Sequence, residues 1–547
     1  MFYPSLGALA ILATATYGYV WPSPQLDALE SARWDQEGFN TNPTLTSAFQ
    51  PCDSFFGGGN TGRSNVADWI RTAYHDMATH NSTDGTGGLD ASIRFGVEQA
   101  RPENVGDGFN NTMEFVTQSV VPNYLPYLSM SDSIALLAVL AIENCGGPEI
   151  AFRGGRIDAG VPGAPGVPQP QDDLNSHIAS FARQGFTQTE MIGLVACGHT
   201  FGGVQHSFFP DIVNALNDPT NIGSIAHFDT TFVTFDNNVA TEYISGTTQN
   251  PLVVGFNDTT NSDKRIFGSD GNTTMQSFAN SPATFASTCA DLFAHMLDTV
   301  PTGVQLTDVI SPLPVKPSSL ALSLNGNILQ LTGQVRLWNV TDPSPNITML
   351  LEDHTGSTGN FTLKFVGTSS STGGKYSAAW YTFNDTDRLD FNNLYLDAAA
   401  GVKSLSFMID GKLEDQNGLG FPIQDGFLFS KTSCLVAPLS GRIDVAVRNG
   451  VNPTRVFLQE FTTDSVQRIV VTEVDISPSL RSSGCEFGVL AMEHHNERYC
   501  YHYGRTVWDW RRNRRSEVCG TQSSSLRYIT SVSDIVLLYQ NGVSFII

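Results

Sequence analysis

The hydrophobic periodicity of the chain changes at a proline-rich segment past its middle. Before residue 308, apolar residues recur at helical spacing, as in 66–77, 134–142 and 191–200, between loops rich in Gly, Pro and Asn. Three prolines then stiffen the segment 308–319 (DVISPLPVKPSS). Beyond it the period is two, as in RIDVAVR, which ends at the hairpin signal Asn449-Gly450. The pattern predicts a mainly α domain over 42–307, a linker over 308–319 and an all-β, sandwich-like domain over 320–480.

The charge of the 547-residue chain is strongly negative but unevenly spread. Lys and Arg total 30 against 53 Asp and Glu, a formal net charge of −23, so a nucleic-acid backbone or an anionic lipid surface would repel most of the molecule. The tail, 481–547, differs because it holds eight Arg against six acidic residues, and three of the eight cysteines (Cys485, Cys500 and Cys519). A basic binding arm, a small disulfide-closed module and translation from a wrong gene model all fit this composition, and we assign the tail no function.

The amino terminus and the cysteines predict a secreted, extracellular protein. Residues 6–15 (LGALAILATA) end in a small-x-small pattern, which predicts a signal peptide over 1–18, although no Lys or Arg precedes Arg33 and a buried helix is the alternative. The cysteines form no Cys-x-x-Cys pair, which favours disulfides over a zinc ribbon. No later stretch reaches the ~18 to 20 apolar residues of a membrane span. Eight Asn-x-Ser/Thr sites could carry glycans: Asn81, Asn110, Asn257, Asn272, Asn339, Asn346, Asn360 and Asn384.

One predicted helix carries an arginine and a histidine on a single face. In residues 64–76 (SNVADWIRTAYHD), Ser64 or Asn65 could cap the helix, and Arg71 and His75 lie four residues apart beside apolar neighbours. A guanidinium and an imidazole thus project together toward an apolar region. Alone, the pair is a weak signal, and a surface helix with two polar residues is the favoured interpretation.

A second predicted helix ends in a histidine. Thr187 and Glu190 have the spacing of a capping box, an apolar run follows, and His199 lies just before the helix-terminating residues 201–203 (FGG). A neutral imidazole there could bind iron. The alternative is a helix-end histidine that neutralises the C-terminal dipole.

Read together, these two segments resemble the distal and proximal motifs of the plant and fungal heme peroxidase superfamily. Four further segments resemble that superfamily in the same order, and the combination is far more specific than any one motif. The resemblance covers about residues 45–300, and with a β-rich extension the chain looks most like the secreted hybrid-type fungal heme peroxidases (class II-like). The six segments are 71–76 (RTAYHD), 88–92 (GLDAS), 98–106 (EQARPENVG), 194–200 (LVACGHT), 228–236 (FDTTFVTFD) and 265–270 (RIFGSD).

The resemblance implies a heme b cofactor and a role for five residues. His199 is expected as the axial iron ligand, and Asp270 as the carboxylate that accepts a hydrogen bond from its other ring nitrogen. On the opposite face, His75 would act as base and then acid toward H2O2, Arg71 would stabilise the developing negative charge, and Asn104 would fix the tautomer of His75. The implied function is a secreted peroxidase that reduces H2O2 and oxidises small organic donors in one-electron steps through a high-valent heme intermediate.

The resemblance also implies two calcium ions, one beside each histidine. Hard oxygen atoms are the ligands that calcium prefers, and ordinary solvated turns are the alternative for such loops. The expected distal ligands are Asp76, Gly88 (through its carbonyl), Asp90 and Ser92, and the expected proximal ligands are Thr200, Asp229, Thr231, Thr234 (through its carbonyl) and Asp236.

At two positions, the chain departs from the family pattern. Tyr74 stands where secreted members usually have Phe, and Phe228 stands where cytochrome c peroxidases have a radical-bearing Trp, which argues against that intracellular branch.

The alternative function is a non-catalytic extracellular glycoprotein whose peroxidase fold is a scaffold and whose β-domain contacts cell-wall polysaccharide. The complete set of five catalytic residues favours the enzyme.

Four cysteines fall within the first domain and allow three pairings. They are Cys52, Cys145, Cys197 and Cys289. We expect at least one disulfide among them, with a buried free thiol as the alternative for Cys197.

Overall fold

A computed structural model describes most of the chain from residue 23 onwards. The predicted signal peptide and most of the tail, including its three cysteines, lie outside the described residues. Those described are 23–41, 43–46, 48–53, 61–121, 127–340, 345–383, 393–430, 434–437, 440–451, 457–475, 479–481, 487–495, 535–539 and 543–546.

The first domain is mainly helical, as predicted. Its centre is helix α6, which is apolar and almost wholly buried, and α3 packs against it. No helix in the described part of the chain is long and apolar enough to cross a membrane. The elements are α1 (Pro24–Trp34), β1 (Glu37–Gly38), α2 (Pro43–Thr46), α3 (Asn65–Met77), α4 (Gly96–Gln99), α5 (Gly108–Phe115), α6 (Met130–Asn144), α7 (Leu174–Gln184), α8 (Gln188–Gly198), β2 (Gly203–Gln205), β3 (Ile225–His227), α9 (Asn238–Ser245), α10 (Ser262–Phe267), α11 (Thr273–Asn280) and α12 (Pro282–Asp298).

Local sequence signals fix the ends of the two helices that carry the predicted site. The capping box of α8 is confirmed, because Thr187 and Glu190 bond each other's backbone N–H groups. Helix α3 follows Ser64, but the Ser64 hydroxyl makes no capping bond. His199 is the residue at which α8 ends.

Two disulfides close the helical domain. Cys52 pairs with Cys145 at the end of α6, and Cys197 in α8 pairs with Cys289 in α12. The expectation of at least one disulfide is confirmed, and Cys197 is not a free thiol. The second bridge ties the helix that ends at His199 to the long helix packed behind it.

The strand-rich region that follows is largely antiparallel. Its longest path of hydrogen-bonded strands runs β11-β10-β6-β7-β8-β5-β4-β13-β15-β19-β18, and a separate sheet has the order β17-β16-β20-β21. Side chains of β4, β5, β6, β8 and β10 share one apolar core. The strands are β4 (Val315–Asn325), β5 (Ile328–Trp338), β6 (Ile347–Glu352), β7 (Thr358–Ser370), β8 (Ser377–Phe383), β9 (Asn393–Asp397), β10 (Ser404–Ile409), β11 (Lys412–Glu414), β12 (Phe421–Pro422), β13 (Phe427–Ser430), β14 (Cys434–Ala437), β15 (Ser440–Arg448), β16 (Phe457–Thr463), β17 (Ile469–Asp475), β18 (Ser479–Arg481), β19 (Phe487–His495), β20 (Ile535–Tyr539) and β21 (Val543–Ile546).

The segment expected as a linker is only partly a connector. β4 begins at Val315 and pairs with β5 from its first residue, so the second half of 308–319 belongs to the sheet. The register shifts between Ser318 and Ala321, where Ser319 has a positive φ of 51°. Pro317 itself lies within β4, so the prolines did not exclude a strand.

Helix α1 fills the seam between the helical domain and the strand-rich region. Its Glu30 is fully buried, bonds Arg336 on β5 and lies 2.8 Å from the ammonium of Lys316 on β4. On the same helix, Arg33 lies 2.6 Å from Glu143 on α6. The short strand β1 then pairs with β7. The segment before the predicted domain start therefore joins both parts of the molecule.

Candidate active site

A large cavity lies between α3 and the end of α8. Its volume is about 1210 Å³, and Arg71 and His75 line it from α3. Leu194 and His199 line it from the α8 side, together with Phe228. The two predicted motifs, more than a hundred residues apart in sequence, thus open onto one space.

On the α3 side, a chain of hydrogen bonds orients His75. The Nδ1 atom of His75 lies 2.8 Å from Oδ1 of Asn104, and Nδ2 of Asn104 donates to the carbonyl of Glu98 at 2.8 Å. Because the amide nitrogen of Asn104 is thereby committed, its oxygen faces the ring, so Nδ1 carries the proton and Nε2 has a free lone pair. Burial, followed by the charge of Arg71, lowers the pKa of His75 to about 3. The imidazole is therefore neutral over the ordinary pH range.

Arg71 is held close to this histidine. Its Nη2 donates to the carbonyl of Val105 at 2.8 Å, and its guanidinium lies 4.4 Å from the ring centroid of Phe109. Burial lowers the pKa of Arg71 to about 10, which leaves it charged at neutral pH. The arrangement places a fixed positive charge beside a neutral base.

On the α8 side, the histidine partner is Asp263, not the predicted Asp270. Nδ1 of His199 lies 2.7 Å from Oδ2 of Asp263, which also accepts a bond from Nδ2 of Asn250 at 2.8 Å. Asp263 is fully buried and stands in the first turn of α10. The ring of Phe228 stacks on His199 with centroids 4.0 Å apart.

Asp270 has a different role because it follows α10 instead of beginning it. Its carboxylate accepts bonds from the backbone N–H groups of Thr273 and Thr274, at 3.0 and 2.9 Å, and so stabilises the start of α11. The signal that could have found Asp263 is its position at a helix start, two residues after Asn261. Sequence reasoning also missed Asn250.

The aromatic residue before His75 packs inside the domain. The Tyr74 ring stacks on Phe181 with centroids 5.9 Å apart, and both rings line the cavity. Burial raises the pKa of Tyr74 well above its usual range, so the phenol is protonated. Two turns of α7 therefore form a wall of the cavity, and His177, which sequence reasoning also missed, belongs to it.

The predicted distal calcium ligands Asp76, Asp90 and Ser92 lie together. The carboxylate of Asp76 accepts backbone bonds from Asp90, Ala91 and Ile93, and the Ser92 hydroxyl lies 3.4 Å from it. Burial raises the pKa of Asp76 well above its usual range and that of Asp90 to about 6. Gly88, at the start of the same loop, adopts a φ of 121°. Two buried carboxylates without a salt bridge among the described residues suit a cation.

The predicted proximal ligands form a second oxygen-rich loop. The Thr200 hydroxyl donates to the carbonyl of Asp236 at 2.8 Å, and Thr231 and Thr234 are joined by a backbone bond. Oδ1 of Asp229 accepts from the N–H of Thr231, but its buried Oδ2 has no hydrogen-bond partner. Burial raises the pKa of Asp229 to about 7. The described residues contain no group of three or more His, Cys, Asp or Glu placed to hold a metal, so any ion here needs hydroxyl and carbonyl ligands.

Comparisons with known proteins place similarity in the helical domain and beyond it. Residues 56–283 match the family model described as "Peroxidase". A WSC domain-containing protein of Arthroderma benhamiae is 39% identical over 343 residues, which are 61% of this chain and 46% of that protein. L-ascorbate peroxidase 5 of Arabidopsis thaliana is 33% identical over 133 residues (24% and 46%), and manganese peroxidase 2 of Phlebia radiata is 31% identical over 185 residues (32% and 43%). The chain spans less than half the length of these relatives.

Proposed function

Residues 56–283 form a domain of the plant and fungal peroxidase superfamily, and we propose that the chain is a heme peroxidase that reduces H2O2 and oxidises small organic donors. The observation that carries the proposal is the pair of oriented histidines on one cavity. His75 is held by Asn104 on one side, and His199 is held by Asp263 on the other.

The cavity residues fit heme b. The Nδ1 atom of His199 is committed to Asp263, so Nε2 is the ring atom left to bind iron, and the buried carboxylate raises its basicity. The walls around it are apolar, with Leu194, Phe228 and Ile266 among them, which suits a porphyrin face. Bound heme would supply an iron centre that passes electrons between peroxide and donor.

The residues on the α3 side would handle the protons of peroxide. Nε2 of the neutral His75 can take the proton from one oxygen of H2O2 and return it to the other, which leaves as water. Arg71 is fixed where it can stabilise the negative charge on the leaving oxygen. In one turnover, H2O2 is reduced to two molecules of water. Two donor molecules supply the two electrons and two protons that this requires. Asn104 keeps Nδ1 protonated, so the basic lone pair stays on the cavity side.

Two calcium ions are part of the proposal. Asp76, Asp90 and Ser92 would bind one of them, and Asp229 with its unpartnered Oδ2 would anchor the other. A divalent cation would compensate carboxylates whose burial is otherwise unfavourable. Because both loops adjoin the helices that carry His75 and His199, the ions would hold those helices in place.

Secretion and glycosylation extend the same proposal. Five of the predicted glycan sites, Asn110, Asn272, Asn339, Asn346 and Asn360, are exposed in the described part of the chain, and two disulfides suit an oxidising compartment. Asn384 lies outside the described residues. The sandwich-like layering of the strand-rich region and its contact with wall polysaccharide stay predictions.

Reconstitution tests the proposed function. We expect the recombinant full chain to bind hemin with a Soret band and to oxidise donors only when H2O2 is present. A panel of phenols, Mn(II), halide, veratryl-type aromatics and cytochrome c identifies the donor class. A chain that folds but gives no Soret band with hemin would refute the enzyme and leave the scaffold alternative.

A further inference from the structure

A buried histidine in the cavity wall has no hydrogen-bond partner. His177 lies on α7, is 2% exposed, and lines the same cavity as His75 and His199. Neither Nδ1 nor Nε2 forms a hydrogen bond of ordinary geometry within the described residues, and a polar neighbour is the backbone of Asp172, which raises the pKa of the imidazole slightly against the effect of burial. A buried polar group left unpaired costs about 1–3 kcal/mol, so native proteins rarely leave both atoms of an imidazole unpaired without a ligand.

Hydrogen bonds and a ring contact connect the segments around His177. The guanidinium of Arg265 donates to the carbonyls of Pro170 and Asp172, just before α7, and to that of Thr259 across the cavity wall, at 2.6, 3.0 and 3.1 Å. These three hydrogen bonds connect the segment before α7 with the loop that contains Thr259. One turn further along α7, Phe181 stacks on Tyr74. His177 therefore stands between parts of the cavity wall that are connected to each other by these contacts.

The other basic side chains of the cavity wall are already committed. Arg63 lies 2.9 Å from Asp68 and 2.8 Å from Asp107, and Arg71 and His75 are held as described above. His199 gives its Nδ1 to Asp263. Among the described basic side chains of the wall, His177 alone lacks a hydrogen-bond partner.

Heme b brings two carboxylates into a cavity lined by both polar and apolar groups, and a carboxylate buried there needs a hydrogen-bond donor. Resting on the proposed function, we infer that His177 donates a hydrogen bond to one carboxylate of the bound porphyrin and so positions the cofactor. Burial now lowers the pKa of His177, with Asp172 opposing the effect, and a carboxylate partner would raise it again. His177 is thus a positioning residue, separate from the two histidines that face each other.

The test compares ferric protoporphyrin IX with its dimethyl ester, which has the same ring but no carboxylates. Soret titration gives the affinity of each for the full-length apo-protein, and circular dichroism checks folding. The variants are His177→Leu, which removes the donor, and His177→Gln, which keeps one. The matched control is His295→Gln on a half-exposed histidine of α12 outside the cavity.

The wild-type chain should prefer the free acid. His177→Leu should lose about tenfold in affinity for the free acid, the size expected for a charge-assisted hydrogen bond, with the diester unchanged. His177→Gln should retain part of the preference, and the propionate bands in resonance Raman spectra should shift in the Leu variant only. Equal ratios of the two affinities in wild type and His177→Leu would overturn this inference alone. A chain that binds neither porphyrin would overturn the proposed function as well.

Discussion

Replacing Asp263 by Asn removes one negative charge from the proximal pair and keeps the shape of the side chain. Oδ2 of Asp263 accepts bonds from His199 at 2.7 Å and Asn250 at 2.8 Å. The oxygen of the introduced amide can still accept both bonds. Its nitrogen would face the Ser262 hydroxyl, which lies 3.3 Å from the other carboxylate oxygen. The substitution therefore isolates the contribution of the charge.

The magnitude follows from the kind of hydrogen bond that is lost. A bond to a charged group contributes about 1.5–3 kcal/mol and a neutral one about 0.5–1.5 kcal/mol, so the charge is worth roughly 1–1.5 kcal/mol. This corresponds to about a 5–10-fold weaker hemin affinity. For the one-electron Fe(III)/Fe(II) couple, the same energy raises the reduction potential by about 40–65 mV, because a less basic imidazole stabilises ferric iron less.

Soret titration measures the affinity, and spectroelectrochemistry measures the potential. The matched control is Asp270→Asn, because Asp270 bonds the start of α11 and not His199. The control should leave the affinity and the potential unchanged, and it should cost some stability because an amide has one acceptor oxygen where the carboxylate of Asp270 uses two. Equal shifts in the two variants, or an unchanged potential in Asp263→Asn, would refute the pairing of Asp263 with His199.

Three further predictions concern the seam, the ions and the domain organisation. Glu30→Gln should lower the free energy of unfolding in urea by about 3 kcal/mol, because it breaks the buried ion pairs with Lys316 and Arg336. The control is the exposed ion pair between Glu352 and Lys403, where Glu352→Gln should cost under about 1 kcal/mol. Burial raises the pKa of Glu30, but the two cations outweigh this effect and lower the pKa from 4.5 to about 2. The stabilisation by the charged Glu30 is therefore complete above pH 4.5 and is lost as the pH falls toward 2. This pH dependence should be missing from the stability profile of the variant. Calcium chelation should lower the unfolding temperature and the rate of peroxide turnover, and re-added calcium should restore both; unchanged values would count against the ions. A chain cut after residue 307 should unfold at a lower temperature than the full chain, because α1 then loses its partners on β4 and β5, and an equal unfolding temperature would contradict the role of the seam.

The parts of the molecule that local chemistry determines could be predicted from the sequence. The helical spacing of Arg71 and His75 and the capping box before His199 both depend on residues within one helix. The change of period near residue 308 located the strand-rich region for the same reason. The contact between His75 and Asn104 depended on the family resemblance, which supplied the long-range pairing that periodicity cannot.

What the sequence could not predict depends on how distant segments pack. Asp263 and Asp270 are seven residues apart, and only the path of α10 decides which of them faces His199. Nothing in the pattern of α1 showed that Glu30 would meet Lys316 and Arg336, 286 and 306 residues later, since buried ion pairs leave no periodic signal. The strand that begins at Val315 was not predicted, because the prolines of 308–319 favoured a linker.

The proposed function depends most directly on His75 as the proton acceptor of a heme peroxidase site. The most direct measurement is the rate at which the hemin-reconstituted full chain reacts with H2O2 in stopped flow, compared between wild type and His75→Leu. General acid–base catalysis of this kind contributes about 10²- to 10⁴-fold, so the variant should keep its Soret band and lose at least two orders of magnitude in rate. A His75→Leu variant that binds hemin and reacts with H2O2 at the wild-type rate would contradict the account.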